Sequence, residues 1–203
     1  MEIAFRRTGP RRYAVEIRRS GLPDVAMDPA PGYDPLVPHD LAHFVVESEL
    51  GLRCGIFGQA ALGGHAGTFV REGATGEPTR EASRRRRRTD RRSATLLRAG
   101  HRESAASERA TYVCLHDWLA RSADPARRRR AAEMAPWLEH VRSTQSPAER
   151  RALDEAVLAR IRARFDELSA RWAALPIGGA LRVEWPEPGG RAGRGSRAGR
   201  RTA

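Results

Sequence analysis

MEIAFRRTGPRRYAVEIR, residues 1–18, is the stretch that decides the fold. Ile3 and Phe5 alternate with Glu2, Ala4 and Arg6. Beyond Gly9-Pro10, Tyr13, Val15 and Ile17 alternate with Ala14, Glu16 and Arg18. Successive strand side chains point to opposite faces, so alternation on both sides of a turn signal predicts a β-hairpin with one apolar face. A lone hairpin is marginal in water. A further strand is available near the other end, where Leu181, Val183 and Trp185 alternate with Arg182 and Glu184. The expectation is an α+β fold: a small antiparallel sheet, built from the N-terminal hairpin and the late strand, packed against several helices.

The helices follow from their punctuation. Residues 20–38, rich in Pro, Gly and Asp, read as an extended loop. Pro38 suits the first turn of a helix whose apolar positions are Leu41, Phe44, Val45 and Leu50, with Gly51 as its stop. A second helical piece is expected over Leu52–Leu62, closed by Gly63-Gly64, and a third over Ser104–Ser122, with Tyr112, Leu115 and Leu119 in phase. Asp124-Pro125 marks another start, with a break expected near Pro136. Ser146-Pro147-Ala148-Glu149 is a capping box, predicting a long helix with Leu153, Val157, Ile161, Phe165, Leu168 and Trp172 on its buried face. The four tryptophans read as core or boundary residues. Residues 1–186 thus form one expected domain. It is interrupted by a flexible Arg-rich linker at 66–103 and followed by a disordered Arg/Gly-rich tail at 187–203.

The 203-residue chain carries a net charge of +12, which invites a nucleic-acid reading. The charge is localised: Arg84–Arg98 holds +7 and the tail +4, leaving the rest almost neutral. Arg84, Arg85, Arg86, Arg87, Arg88, Arg91 and Arg92 are therefore the candidate contacts to a polyanion or nucleic acid, without sequence specificity. The tail has the Arg/Gly character of RNA-binding tails but no aromatic residue for stacking. The absence of Lys and Asn points to GC-rich coding, which generates arginine runs without any ligand. Cys54 and Cys114 are too few for a disulfide framework and read as free thiols in a reducing compartment. No signal-peptide pattern and no membrane-spanning apolar run occurs, so the expected location is the cytoplasm. Walker A, dinucleotide and nucleophile-elbow motifs are missing.

His39-Asp40-Leu41-Ala42-His43, followed by Glu47, is the constellation that carries chemistry. Residues four apart nearly superimpose on a helix, so His39 and His43 share a face and can chelate one divalent cation, Zn²⁺ or another. Glu47 lies a turn further on, rotated by about 80° from His39. It is the first candidate for a third ligand. The alternatives are His65, His101, His116 and His140, with His116 favoured by its place on the third helix. Asp40 has three readings: a partner that orients an imidazole, a general base on metal-bound water, or a complement to the helix's positive end. His39 and His43 can equally be a surface and a half-buried histidine with no ligand.

The five residues His39–His43 resemble the HDxxH motif of the coenzyme Q biosynthesis proteins, a resemblance that implies zinc at the two histidines. The glutamate of that family falls at Gly55 here. The longer pattern Pro38–Glu47, with Gly51-Leu52 and Gly55-Ile56-Phe57-Gly58, resembles a family of uncharacterised proteins of GC-rich bacteria and implies no mechanism. Three functions remain open from sequence. The first is a metal-binding protein, hydrolytic or lyase-like if an enzyme. The others are a nucleic-acid-associated accessory protein and a non-catalytic interaction domain.

Overall fold

The computed structural model describes residues 1–71 and 80–186, so the 187–203 tail lies outside the described residues. The hairpin forms as its alternation requires: β1 (Glu2–Gly9) pairs antiparallel with β2 (Arg12–Arg18), with Phe5 opposite Val15 and Ile3 opposite Ile17. Ile3, Phe5, Tyr13, Val15 and Ile17 are fully buried on one face. On the other face small residues alternate with charge. Ala4 and Ala14 sit among ion pairs such as Arg6–Glu16, whose Nε–Oε1 distance is 2.6 Å. A sheet with one solvated face needs this division.

Two further strands extend the sheet beyond β2, in segments expected to be loop. β3 (Val25–Ala30) pairs with β2, and the two-residue β4 (Val70–Arg71) pairs with β3. β3 alternates over only Val25 and Met27 before Pro29, too briefly to stand out from the Pro- and Gly-rich segment around it. The late strand, β5 (Ala180–Glu184), lies antiparallel to β1, as expected. The order is β4-β3-β2-β1-β5, which sets the first strand beside the last described one.

Among the described residues six helices follow, α1 (His39–Leu50), α2 (Ile56–Ala61), α3 (Arg80–Ala120), α4 (Pro125–Thr144), α5 (Pro147–Ala152) and α6 (Glu155–Ala173); α1, α2 and α6 meet the apolar face of the sheet, and α4 packs against α3. Edge-to-face aromatic contacts join the layers. Phe5 of β1 meets Phe44 of α1 and Phe57 of α2, with ring centroids 6.2 and 6.1 Å apart, and Tyr13 meets Trp172 of α6 at 6.0 Å. Truncating a buried phenylalanine at such a junction costs about 3–5 kcal/mol.

Three boundaries differ from the sequence expectation. The segment read as a flexible linker contains β4 and the first half of α3, a 41-residue helix; residues 72–79 lie outside the described ones. The glycines that suggested a loop cluster before residue 80. Beyond it, arginine and alanine are good helix formers, and the one glycine, Gly100, lies against Cys54. The expected break at Pro136 does not occur, and α4 runs through it. Pro136 is exposed, so the carbonyl freed by its missing N–H faces water. The capping box at Ser146 is present, but it starts only α5. Asp154 then caps a new helix, accepting from Val157 N at 2.8 Å. Trp137, expected in the core or at its boundary, is exposed.

Candidate metal centre

The loop before α1 sets the entry of the histidine helix. His39 N donates to Gly32 O at 3.0 Å. Gly32 has φ +70°, and a Cβ there would come within 2.6 Å of His39 Cβ. Glycine is needed on both counts. At the far end, Gly51 closes α1 in the left-handed conformation. His39 and His43 emerge on one face, with ring centroids 4.6 Å apart.

α3 crosses this face and supplies the third group. Oε2 of Glu108 lies 3.3 Å from His43 Nε2 and 4.0 Å from His39 Nε2. One ligand atom from each of the three residues falls within 4.8 Å of the others, so the group could hold a metal ion. Tetrahedral zinc with bonds of about 2.1 Å places its ligand atoms about 3.4 Å apart, close to the 3.3 Å between His43 Nε2 and Glu108 Oε2. His43 is 1% exposed, whereas His39 and Glu108 are open to solvent. Nε2 of His43 is buried and has no hydrogen-bond partner; its approach to Glu108 lacks hydrogen-bond geometry.

The other ring nitrogen is fully engaged. His43 Nδ1 lies 3.0 Å from Ser107 Oγ, and Ser107 donates to Glu47 Oε1 at 2.8 Å. A hydroxyl that donates to a carboxylate accepts from the imidazole, so Nδ1 carries a proton and Nε2 is the ring atom that faces His39 and Glu108. Burial acts to lower the pKa of His43, but the carboxylates of Glu108, Glu47 and Asp40 outweigh it and the net shift is upward. The His43 imidazole in turn holds Glu108 below the usual carboxylate value.

Glu47 stands outside the three-residue group, behind His43 and joined to it through the Ser107 hydroxyl. Its Oε1 accepts from Ile56 N at 2.8 Å and its Oε2 from Phe57 N at 2.9 Å, so the carboxylate meets the first N–H groups of α2. Burial pushes its pKa up, opposed by His43, Ser107 and these two amides. A Cβ on Gly55 would collide with this carboxylate. The space that a side chain at position 55 would need is thus filled by Glu47 reaching across from α1. Asp40 also stands apart: buried, it pairs with Tyr13, whose hydroxyl lies 2.5 Å from Oδ2. Burial raises the pKa of both partners.

The remaining histidines lie elsewhere. His116 is two turns beyond Glu108 on α3, about 12 Å along the axis. Burial first, then Arg142, lowers its pKa. His140 contacts Trp137, and His65 Nδ1 accepts from Gly67 N. Sequence reasoning missed Glu108 and Ser107, although a signal was present. Glu108 shares the helical phase of Tyr112, Leu115 and Leu119, so a carboxylate heads an apolar stripe. Of the arginine candidates, Arg84, Arg87, Arg88, Arg91 and Arg92 are exposed on α3, and the side chains of Arg85 and Arg86 lie outside the described ones. No described helix is long and apolar enough to cross a membrane. Comparison with protein-family models, curated proteins and solved structures found no match to this chain.

Proposed function

We propose that the protein binds a divalent cation, zinc first, through His39, His43 and Glu108, and uses the bound ion to activate water. The observation that carries this reading is His43 Nε2, buried, without a hydrogen bond of good geometry and facing one ligand atom each from Glu108 and His39. Burying a polar atom without a partner is costly, and a cation removes the cost. The Ser107–Glu47 pair behind His43 supports it, because histidine ligands commonly donate their second N–H toward a carboxylate or hydroxyl that fixes the ring. Two imidazoles and a carboxylate make a ligand set suited to zinc, and three protein ligands leave a fourth position for water. That position would face the solvent side formed by His39 and Glu108. Lowering the pKa of the bound water would give hydrolytic or lyase-like chemistry. Glu47 serves as the ring-orienting carboxylate rather than a ligand. Asp40, turned toward Tyr13, serves packing rather than proton transfer.

Metal content of the purified, untagged full chain tests the reading, beside His43→Ala and Glu108→Ala. Near-stoichiometric metal in the wild type, lost in both variants, is expected. A metal-free wild type that also rejects added Zn²⁺ overturns it. Water activation is read separately: the metal-loaded protein should hydrolyse p-nitrophenyl acetate faster than the chelated protein, and Glu108→Ala should abolish the difference.

A further inference from the structure

Away from the candidate metal centre, the N-terminal half of α3 and two turns flank an open cleft of about 670 Å³. The Gly21–Pro23 turn and Gly63 form one wall; Arg88, Thr89 and Arg92 form the other. We propose that this cleft binds phosphate groups, with the guanidinium groups of Arg88 and Arg92 holding the phosphoryl oxygens.

The cleft is built rather than incidental. Arg19, 7% exposed, ties its turns together: Nε donates to Pro23 O at 2.9 Å, and Nη1 donates to Ala60 O at 3.0 Å and Gly64 O at 2.7 Å. The helix is pinned to the same loop, where His65 N donates to the buried Ser93 Oγ at 3.1 Å. Gly63 has φ +88°, a conformation that favours glycine, and it sets its Cα close to both Leu22 and Arg92, so the two walls meet there.

The charges point to an anion. Arg88 and Arg92 are four residues apart and share a helix face, and Arg84 continues the row one turn toward the N-terminus. Among the described residues no carboxylate pairs with these three, whereas Arg6, Arg12 and Arg109 are each held by one and Arg162 by two. Like charges at this spacing, in the half of the helix nearer its positive end, oppose the helix until an anion neutralises them. Guanidinium groups suit phosphate because their donors form a planar fork. The cavity volume is that of a small-ligand site, while the row extending to Arg84 matches a ligand with several phosphates. No aromatic residue lines the described walls, so recognition is of phosphate and not of bases. A nucleic-acid strand and a small phosphorylated molecule share this chemistry.

The test compares the full-length protein with Arg88→Ala/Arg92→Ala and with Arg129→Ala/Arg151→Ala, which removes equal charge from exposed positions elsewhere. Circular dichroism verifies folding, and Arg88→Gln/Arg92→Gln serves as a second, milder variant. A labelled oligothymidylate of about 20 nucleotides is titrated by fluorescence anisotropy. ADP is titrated by calorimetry. For a strand ligand, the cleft variant should bind on the order of tenfold more weakly, with a salt slope shallower by about 1.4, while the control binds as wild type. For a small phosphorylated ligand, ADP binding should be lost in the cleft variant alone. The proposal is overturned if neither probe binds, if cleft and control variants weaken equally, or if the cleft variant binds both probes as wild type does.

Discussion

Replacing Ser107 with alanine would cut the connection between Glu47 and His43 in one step. The hydroxyl is 1% exposed and makes two bonds, donating to Glu47 at 2.8 Å and accepting from His43 at 3.0 Å. Without it Glu47 keeps its two amide donors, and His43 Nδ1 keeps only Thr111 Oγ1, at 3.4 Å. Hydrogen bonds to charged groups contribute about 1.5–3 kcal/mol, and a buried group left poorly paired costs a similar amount, so a loss of about 2–3 kcal/mol is expected. For a chain of this size that corresponds to a fall in Tm of roughly 4–12 °C. Urea and thermal unfolding in the presence of a chelator would measure it without any contribution from metal. In metal-loaded protein, an imidazole free to rotate should bind zinc about 10–100-fold more weakly. Competition with a chromophoric chelator reads that affinity. A variant as stable as wild type would refute the Glu47–Ser107–His43 connection itself. A variant that loses stability but keeps full zinc affinity would show that the connection holds the core and does not orient a ligand.

Three further outcomes test neighbouring parts of the structure. Gly55 has ordinary backbone angles, so Gly55→Ala is a clean steric probe: its methyl group meets the Glu47 carboxylate and should cost about 1–3 kcal/mol in urea unfolding, and no loss would mean that Glu47 lies elsewhere. Burial pushes the Cys114 thiol up to about 12, so its reaction with a thiol reagent at pH 8 should track global unfolding, after the half-buried Cys54; labelling of Cys114 as fast as a free thiol would contradict its burial. Burial acts to raise the pKa of Glu149, but Arg109 and the Ser146 cap outweigh it and the net is below the ordinary 4.5. The unfolded state therefore binds that proton more readily. The stabilisation from Glu149, about 1 kcal/mol for a cap, should be full above the ordinary value and disappear as pH falls through the lowered one. Denaturation of wild type and Glu149→Gln across that range checks it; a gap that widens in acid would reverse the sign.

Much of the fold is legible because it depends on neighbours in the chain. The period-two pattern of β1, β2 and β5 specifies which face is buried. The need of a bare hairpin for another strand brings the ends together. Pro38 and Gly51 bound α1, and the four-residue spacing puts His39 and His43 on one face. Where a pattern is short or ambiguous, reading fails. β3 offers two buried positions before a proline, and the first half of α3 has an arginine-rich composition compatible with either a solvated loop or a helix. Docking decides between them: Gly100 is buried against the loop that follows α1 and Ser93 against the loop that follows α2.

The candidate site divides along the same line. The sequence by itself determined the two histidines, their shared face and the helix that carries them, because these follow from a backbone repeat of 3.6 residues. Tertiary structure alone decided what completes the group. Glu108 reaches His43 only because α3 crosses α1 at that turn. Glu47 lies behind the histidine because the N–H groups at the start of α2, and the space left by Gly55, accept its carboxylate. A coordination shell needs donors converging on a point a few ångströms across. One helix face offers two of them, and the third depends on packing between elements distant in the chain, which local periodicity does not encode.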